Sequence, residues 1–448
     1  MNEEQNRACT FVKDGHNVYI GGCAGTGKSF LVTEIVSWAM STNRQAALTC
    51  TTGVACCLYP QMYHPMTVHK WSGLGDGRLT AQQLNRLIDA SDDHYVAAAE
   101  RMKNVDILII DEISMLSKCM FDKLEAVMRH VRGSSQVFGG AQLVVVGDFL
   151  QLPPVRNSRY NDPGEFSFQS EVFPLHRIFL SQVMRQKDEQ LIKVVHNLAI
   201  GQVDQETTAY VKHLSRPLTL AGRETTRLFS VNILADIYNR DCLMRVNGDV
   251  YQFEAIDEGE ERHLNTLTVM LLRNLSDQLV NGLCGTVVDV REGEVDVHFL
   301  TLGKTTTLTR MNFAVFDPAS NRNLAVRNQV PLKLCYAITV HKAQGMTLDR
   351  AEVDCRQMFQ SGQLAVAMGR VKSPDGLRVV NFTQDAVIPQ PSLVLDFLNS
   401  QWIPAEVDRS CCHIRAVGFV FNPLNFPRCW QKLFSMASEL TIAGLDFT

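Results

Sequence analysis

The residues best suited to chemistry are Gly22, Gly25, Thr26, Gly27, Lys28 and Ser29, which form G-x-x-x-x-G-K-S from Gly22 to Ser29. Glycines let a backbone curl round an anion, a lysine adds a mobile positive charge, and a serine hydroxyl offers an oxygen to Mg²⁺. The flanks suit this reading: residues 17–20 are β-prone, and residues 29–40 are long and apolar enough for a buried helix. A strand–loop–helix order aims the first N–H groups of the helix at one spot. The aligned peptide dipoles make that spot attractive to phosphate oxygens. The expectation is a nucleoside-triphosphate site.

Two later strand tips carry matching groups. Residues 107–110 are an uninterrupted apolar run, the pattern of a central strand buried on both faces, and end in Asp111 and Glu112. Behind a phosphate loop, an acid at this tip can hold Mg²⁺, and the second acid can take a proton from the attacking water. Residues 143–146 form another such run, followed by Asp148 and Gln151, which suit sensing of a γ-phosphate. Gln5 precedes the first strand; it either presents its amide to an adenine edge or is a solvated helix glutamine. Thr51 lies at the carboxyl end of the strand expected at residues 46–49, where ligands cross a sheet edge. Residues 64–73 mix His69, Lys70 and Trp71, types that stack on bases and neutralise phosphates. A loop capping the core explains them equally well.

The elements that must position these groups alternate between strand and helix. A helix over residues 120–131 shows an apolar face at helical spacing, and a polar connection at 157–174 approaches a domain boundary. The alternation resumes from residue 178 without a second phosphate loop. From about 248 to 323, short strands with Gly-containing turns predict a small β-barrel. The expected division is a first domain at 1–177, with a small DNA-facing insertion at about 58–80. A second domain comprises 178–247 and 324–400, interrupted by the barrel at 248–323. Residues 401–448 are an extension of unassigned role.

Composition bounds the partners. The 448 residues are 46% hydrophobic and 20% charged, with a formal net charge of −4, so any nucleic-acid surface must be a local groove. The 13 cysteines sit mostly singly in apolar runs, as buried thiols of a reducing compartment do. Cys411-Cys412-His413 suggests a metal, but no second C-x-x-C pair completes four ligands. No apolar run approaches the ~20 residues that span a bilayer, so no membrane association is expected. The acidic amino terminus is neither a signal nor an Arg-rich transit peptide, which leaves nucleus or cytoplasm.

Nine segments, in order, carry a family resemblance: GGCAGTGKS, TCTTGVA, TVHKWSGLG, LIIDEISML, VVGDFLQLPPV, VMRQKD, LVNGLCGTVV, ITVHKAQGMTL and GQLAVAMGR. Together they resemble superfamily 1B helicases, specifically the petite-integration-frequency (Pif) family of DNA helicases, cousins of the RecD helicases. The helix from Met120 and the following Phe138-Gly139-Gly140 resemble that family's signature segment. The resemblance covers about residues 2–382. It implies an α/β fold of two RecA-like parallel-sheet domains, with ATP between them and single-stranded DNA across their tops. By position, Gln5 matches the adenine-reading glutamine, Lys28 and Ser29 the phosphate and Mg²⁺ contacts, and Asp111 and Glu112 the metal-holding acid and catalytic base. Gln151 matches the γ-phosphate sensor, and Arg185 and Arg370 the arginines supplied by the second domain. Thr51, His69, His341 and Lys342 fall where the family touches DNA, and Trp71 is the stacking aromatic expected beside them. The implied activity is ATP-dependent 5′→3′ unwinding of DNA bearing 5′ single-stranded tails. The alternative is a DNA-stimulated ATPase that remodels protein–DNA complexes without strand separation. Gly369 stands where the family usually has serine. The long amino-terminal extension of many cellular members is not seen, which also fits a viral or mobile-element origin.

Overall fold

The structure, a computed structural model, describes residues 1–218, 225–245, 256–259, 270–272, 275–276, 279, 281–291, 293–299, 302–317, 322–400 and 412. Six strands form the first sheet: β1 (Val18–Gly22), β2 (Ala46–Cys50), β3 (Met66–Thr67), β4 (Ile107–Asp111), β5 (Gln142–Gly147) and β6 (His176–Leu180). Their order is β3-β2-β4-β5-β1-β6, and every pairing is parallel. All residues of β4 and β5 are buried, as apolar runs covered on both faces must be. Helix α1 (Glu3–Lys13) starts at a capping box in which Asn2 and Gln5 satisfy each other's backbone donors. Helix α2 (Lys28–Ser41) follows β1 directly through the phosphate loop.

The helix Lys118–Arg132 lies against this sheet and is capped by Ser117 at its start. Arg132 Nε donates to the Gly139 carbonyl at 2.8 Å, and Nη1 donates to the carbonyls of Met102, Lys103 and Val105 at 3.0, 2.8 and 2.8 Å. One guanidinium thereby satisfies carbonyls at the end of the helix Asp93–Asn104 that lack intrahelical partners. Gly139 has φ 63°, and a Cβ there would sit 2.7 Å from Arg132 Cδ. This close approach explains the glycine in the signature segment.

The second parallel sheet has four strands, in the order Ala337–Thr339, β7 (Thr226–Phe229), Ala351–Asp354, Leu377–Val380. Between β7 and this sheet's later strands, the described residues form three antiparallel sheets. In the first, Glu294–Phe299 pairs with Thr286–Arg291 and Lys304–Thr309 and turns Val295, Val297 and Phe299 inward. These residues share a small core with Leu271, Leu283, Leu308 and Leu332. Parts of the expected insertion, including 248–255 and 260–269, lie outside the described residues, as does the extension at 401–448 except Cys412.

One expected boundary needs correction. A division after residue 177 cuts β6, which pairs with β1 from Val18↔His176 to Gly22↔Leu180. The short apolar run at 178–180 reads equally as the last strand of one unit or the first of the next; register alone distinguishes them. The first sheet therefore extends to Leu180.

The chain also returns to its beginning. The helix Ser392–Asn399 inserts Phe397, 1% exposed, among Tyr19, Phe149, Phe168 and Phe173 of the first unit. Phe168 and Phe397 stack at 4.2 Å, and the Arg177 guanidinium lies 4.2 Å over the Phe397 ring. Gln390 Nε2 donates to Leu150 and Ala199 carbonyls, pinning the two halves at a second point. Phe397→Ala should cost about 3–5 kcal/mol through lost transfer energy and the cavity left behind. Urea unfolding measures this; a loss below about 1 kcal/mol would contradict the docking described.

Candidate active site

The phosphate loop leaves the carboxyl end of β1, between β5 and β6. Gly25 and Gly27 have φ 87° and 85°, in the left-handed region open to glycine. Space forbids side chains there as well: a Cβ on Gly25 would lie 2.6 Å from Arg185 Cβ, and one on Gly27 2.7 Å from Gln5 Nε2. Lys28 Nζ donates to the Gly22 and Cys23 carbonyls at 2.6 and 2.9 Å, and buried Thr26 donates its hydroxyl to Cys23 O at 3.0 Å. Gln5 is 3% exposed, so it is not a solvated glutamine. Its Oε1 accepts from the Asn2 backbone at 3.0 Å, which leaves Nε2 against the loop. Burial, reinforced by Asp148, pushes the Cys23 thiol up to about 12, so this loop cysteine stays protonated.

Asp111 and Glu112 stand across from the loop. Burial, and then the charge of Glu112, push the Asp111 carboxyl up to about 6. Asp111 Oδ2 accepts from the Tyr59 hydroxyl at 2.5 Å and Oδ1 from the Glu112 backbone at 2.8 Å. Tyr59 also has a side-chain hydrogen bond with Ser29. Oxygen donors from Ser29, Tyr59 and Asp111 thus converge, a donor set suited to a hard divalent cation. Glu112 sits at φ 56°, ψ 41°, and its Oε2 accepts from Gln344 Nε2 at 3.2 Å. Gln151 Nε2 donates to Asp148 Oδ2 at 3.1 Å, and burial raises the Asp148 carboxyl.

Both expected arginines reach this place. The backbone N–H groups of Met184 and Arg185 donate to Gly25 O at 2.7 and 3.2 Å, and Arg185 Nη1 donates to Gly369 O at 3.2 Å. Arg370 is 2% exposed; Nε donates to Val366 O at 3.0 Å and Nη2 to Gln151 Oε1 at 3.5 Å. Burial, and then the neighbouring Arg185, pull Arg370 down to about 10, while Glu112 and Asp148 oppose the shift. Both guanidiniums remain cationic at neutral pH. A Cβ on Gly369 would lie 3.0 Å from Ala365 O, so serine would need a small adjustment here.

The expected DNA residues divide. Thr51 turns inward, its Oγ1 donating to Glu112 O at 3.0 Å. His69 is half-buried, lines a cavity of about 170 Å³ with Asp76, Met120 and Lys123, and is shifted toward neutral by burial. Trp71 requires correction as a base-stacking residue: it is 4% exposed and packed in the main core. The segment folds as a strand and a short helix, Val68–Ser72, whose apolar side takes the indole inward. His341 and Lys342 are half-buried on a short helix after the strand Ala337–Thr339. His341 stacks on Phe359, which is 53% exposed, at 6.1 Å and 21°. Sequence reasoning missed Tyr59, Gln344 and Phe359. Gln344 lay inside a quoted motif, whereas nothing about Tyr59 in the sequence marks its partner 52 residues away.

Comparison with known proteins finds similarity along most of the chain. Residues 1–207 match the family model of the PIF1-like helicases. The chain is 35% identical over 407 residues to the zebrafish (Danio rerio) ATP-dependent DNA helicase PIF1, covering 85% of this chain and 61% of that protein. It is 34% identical to the human protein of that name, covering 88% and 63%. It thus spans about six-tenths of the length of these curated relatives. The crystal structure of Pif1 helicase from Candida albicans superposes with a TM-score of 0.76 at 29% identity, covering 89% of this chain and 98% of that one. Pif1 helicase from Bacteroides, in complex with ADP-AlF3 and ssDNA, shares the fold with a TM-score of 0.74 at 24% identity, covering 89% and 96%.

Asp111 makes stability depend on pH in a definite direction. A carboxyl raised from about 3.9 unfolded to about 6 folded opposes folding. The opposition is absent below the unfolded value, grows as pH rises through the window between the two, and is complete above the folded value. In metal-free buffer, Asp111→Asn should gain thermal stability relative to wild type as pH rises from about 4 to 6, then hold a constant difference. A difference independent of pH would contradict the raised carboxyl.

Proposed function

We propose that the chain belongs to the PIF1-like helicase family and is an ATP-dependent DNA helicase. It hydrolyses ATP between two RecA-like units, moves 5′→3′ on single-stranded DNA and unwinds duplexes bearing 5′ tails. The observation that carries the reading is the convergence of Arg185 and Arg370 on the phosphate loop, through Gly25 and Gln151. A nucleotide site that needs residues from both halves of the chain ties hydrolysis to their separation. In this reading the antiparallel sheets close as a small barrel beside the DNA path. The protein acts wherever DNA is, in nucleus or cytoplasm. No described helix is long and apolar enough to cross a membrane.

The chemistry follows from the side chains. The N-terminus of α2 and Lys28 hold the β- and γ-phosphates, while Gln5 Nε2 faces the base edge. Bound with the nucleotide, Mg²⁺ supplies charge neutralisation at phosphate oxygens, and Ser29 and Asp111 would hold it, with Tyr59 orienting the carboxylate. Glu112 takes the proton of the attacking water. Gln151 contacts the γ-phosphate, and Arg185 and Arg370 stabilise the charge that spreads over the transferring group. Single-stranded DNA runs past Thr51, His341 and Lys342, with exposed Phe359 as the stacking face in place of Trp71.

Arg185→Ala and Arg370→Ala should each lower DNA-stimulated ATP hydrolysis by about 10²-fold or more and abolish unwinding, because arginine fingers are worth about 10³–10⁵. Single-strand affinity without nucleotide should stay within about threefold, since neither arginine is on the DNA path. Losses below about fivefold in both variants would remove the two-domain site. Strand displacement on 5′-tailed duplexes separates a helicase from a translocase that only remodels protein–DNA complexes. Displacement of 3′-tailed duplexes instead would reverse the direction.

A further inference from the structure

At the opposite end of the first sheet from the phosphate loop, three groups meet that the nucleotide site does not use. His16 lies two residues before β1, and His176 is the first residue of β6, paired with Val18. Cys412 comes from the carboxyl-terminal extension. One ligand-capable atom from each lies within 4.8 Å of the others. We propose that His16, His176 and Cys412 form a structural zinc site that fastens the carboxyl-terminal extension to the first domain.

The geometry suits that ion. A tetrahedral zinc with sulfur at about 2.3 Å and nitrogen at about 2.05 Å holds the two about 3.6 Å apart. Cys412 Sγ lies 3.5 Å from His16 Nδ1. The backbone around the site is already fixed. Gln142 Nε2 donates to the His16 carbonyl at 2.9 Å, and Asn17 Oδ1 accepts from Leu143 N at 2.8 Å. Asn17 N donates to Cys412 Sγ at 3.2 Å, which holds the sulfur beside His16. Both histidines are buried, 4% and 1% exposed, and their rings meet at 5.0 Å. Two imidazoles and a thiolate form a borderline-soft donor set that prefers zinc to magnesium or calcium. The fourth position falls to water. The site lies at the amino ends of β1 and β6, opposite the phosphate loop, a place that assigns it a structural role.

Sequence spacing conceals this site. Cys411-Cys412-His413 has no second local pair, because the partners of Cys412 lie 396 and 236 residues earlier. Binding of zinc in place of protons makes the attachment of the extension depend on metal and on a reduced thiol.

The test uses the full, tag-free chain, loaded with zinc in reducing buffer and then challenged with a chelator. The expected result is about one retained zinc per chain, falling at least about tenfold in Cys412→Ser and in His176→Gln. Cys119→Ser, a half-buried thiol elsewhere, should keep the metal. Cys412 lies outside every buried core cluster, so its serine variant should fold and retain DNA-stimulated ATP turnover. Cobalt loading of the wild-type chain gives an independent readout: the tetrahedral ligand-field spectrum should include a thiolate charge-transfer band. A wild-type chain that retains no zinc, a Cys412→Ser chain that retains it fully, or a cobalt spectrum without thiolate character would each overturn the proposal.

Discussion

The proposed nucleotide site depends on bringing several positive charges to one buried place. Lys28 and the start of α2 come from one half of the chain, and Arg185 and Arg370 from residues beyond the first sheet. Two guanidiniums side by side repel each other, and this repulsion adds to burial, the larger cause, in lowering Arg370. Only a multiply charged anion between them, such as a triphosphate, turns that arrangement from a cost into a gain. The docking of Phe397 into the first unit's aromatic cluster and the bonds of Gln390 hold the halves close enough for this to happen.

A second constraint lies at Glu112. A non-glycine residue in the left-handed region costs about 1–2 kcal/mol, and here the surroundings hold it in place. Its backbone N–H donates to Asp111, its carbonyl accepts from Thr51, and its carboxylate accepts from Gln344. Thr51 and Gln344 lie on the segments assigned to the DNA path, one from each half of the chain. Gly345, at φ 83°, brings the backbone of the second half to within 3.9 Å, measured from its would-be Cβ to Glu112 Oε1. Glu112, the proposed general base, is thus connected by single hydrogen bonds to both segments proposed to face DNA, which would give DNA a short physical route to influence hydrolysis.

Much of this was legible in the sequence because it is local. The phosphate loop, the apolar strands leading to Asp111 and Asp148, and the apolar face of the helix over residues 120–131 each depend on residues a few positions apart. Arg185 and Arg370 came through resemblance, since no spacing relates them to residue 28. What stayed hidden depends on tertiary register. β6 pairs with β1 and not with the second unit, so the boundary moved. Trp71 has the composition of a stacking residue, but the helix phase of Val68–Ser72 turns it inward. Phe359 has the exposed face, and only the fold brings it over His341. Tyr59 lies in no motif, and only the fold brings its hydroxyl to donate to Asp111, the acid proposed to hold the metal.

The proposed coupling of DNA to chemistry through Gln344 is the most direct point of test. ATP turnover of Gln344→Ala should be measured without DNA and with saturating single-stranded DNA. Basal turnover should stay within about threefold of wild type, because Lys28, Glu112 and both arginines remain, while the stimulation by DNA should fall by about tenfold or more. Undiminished stimulation with an unchanged basal rate would contradict the connection between the DNA path and Glu112.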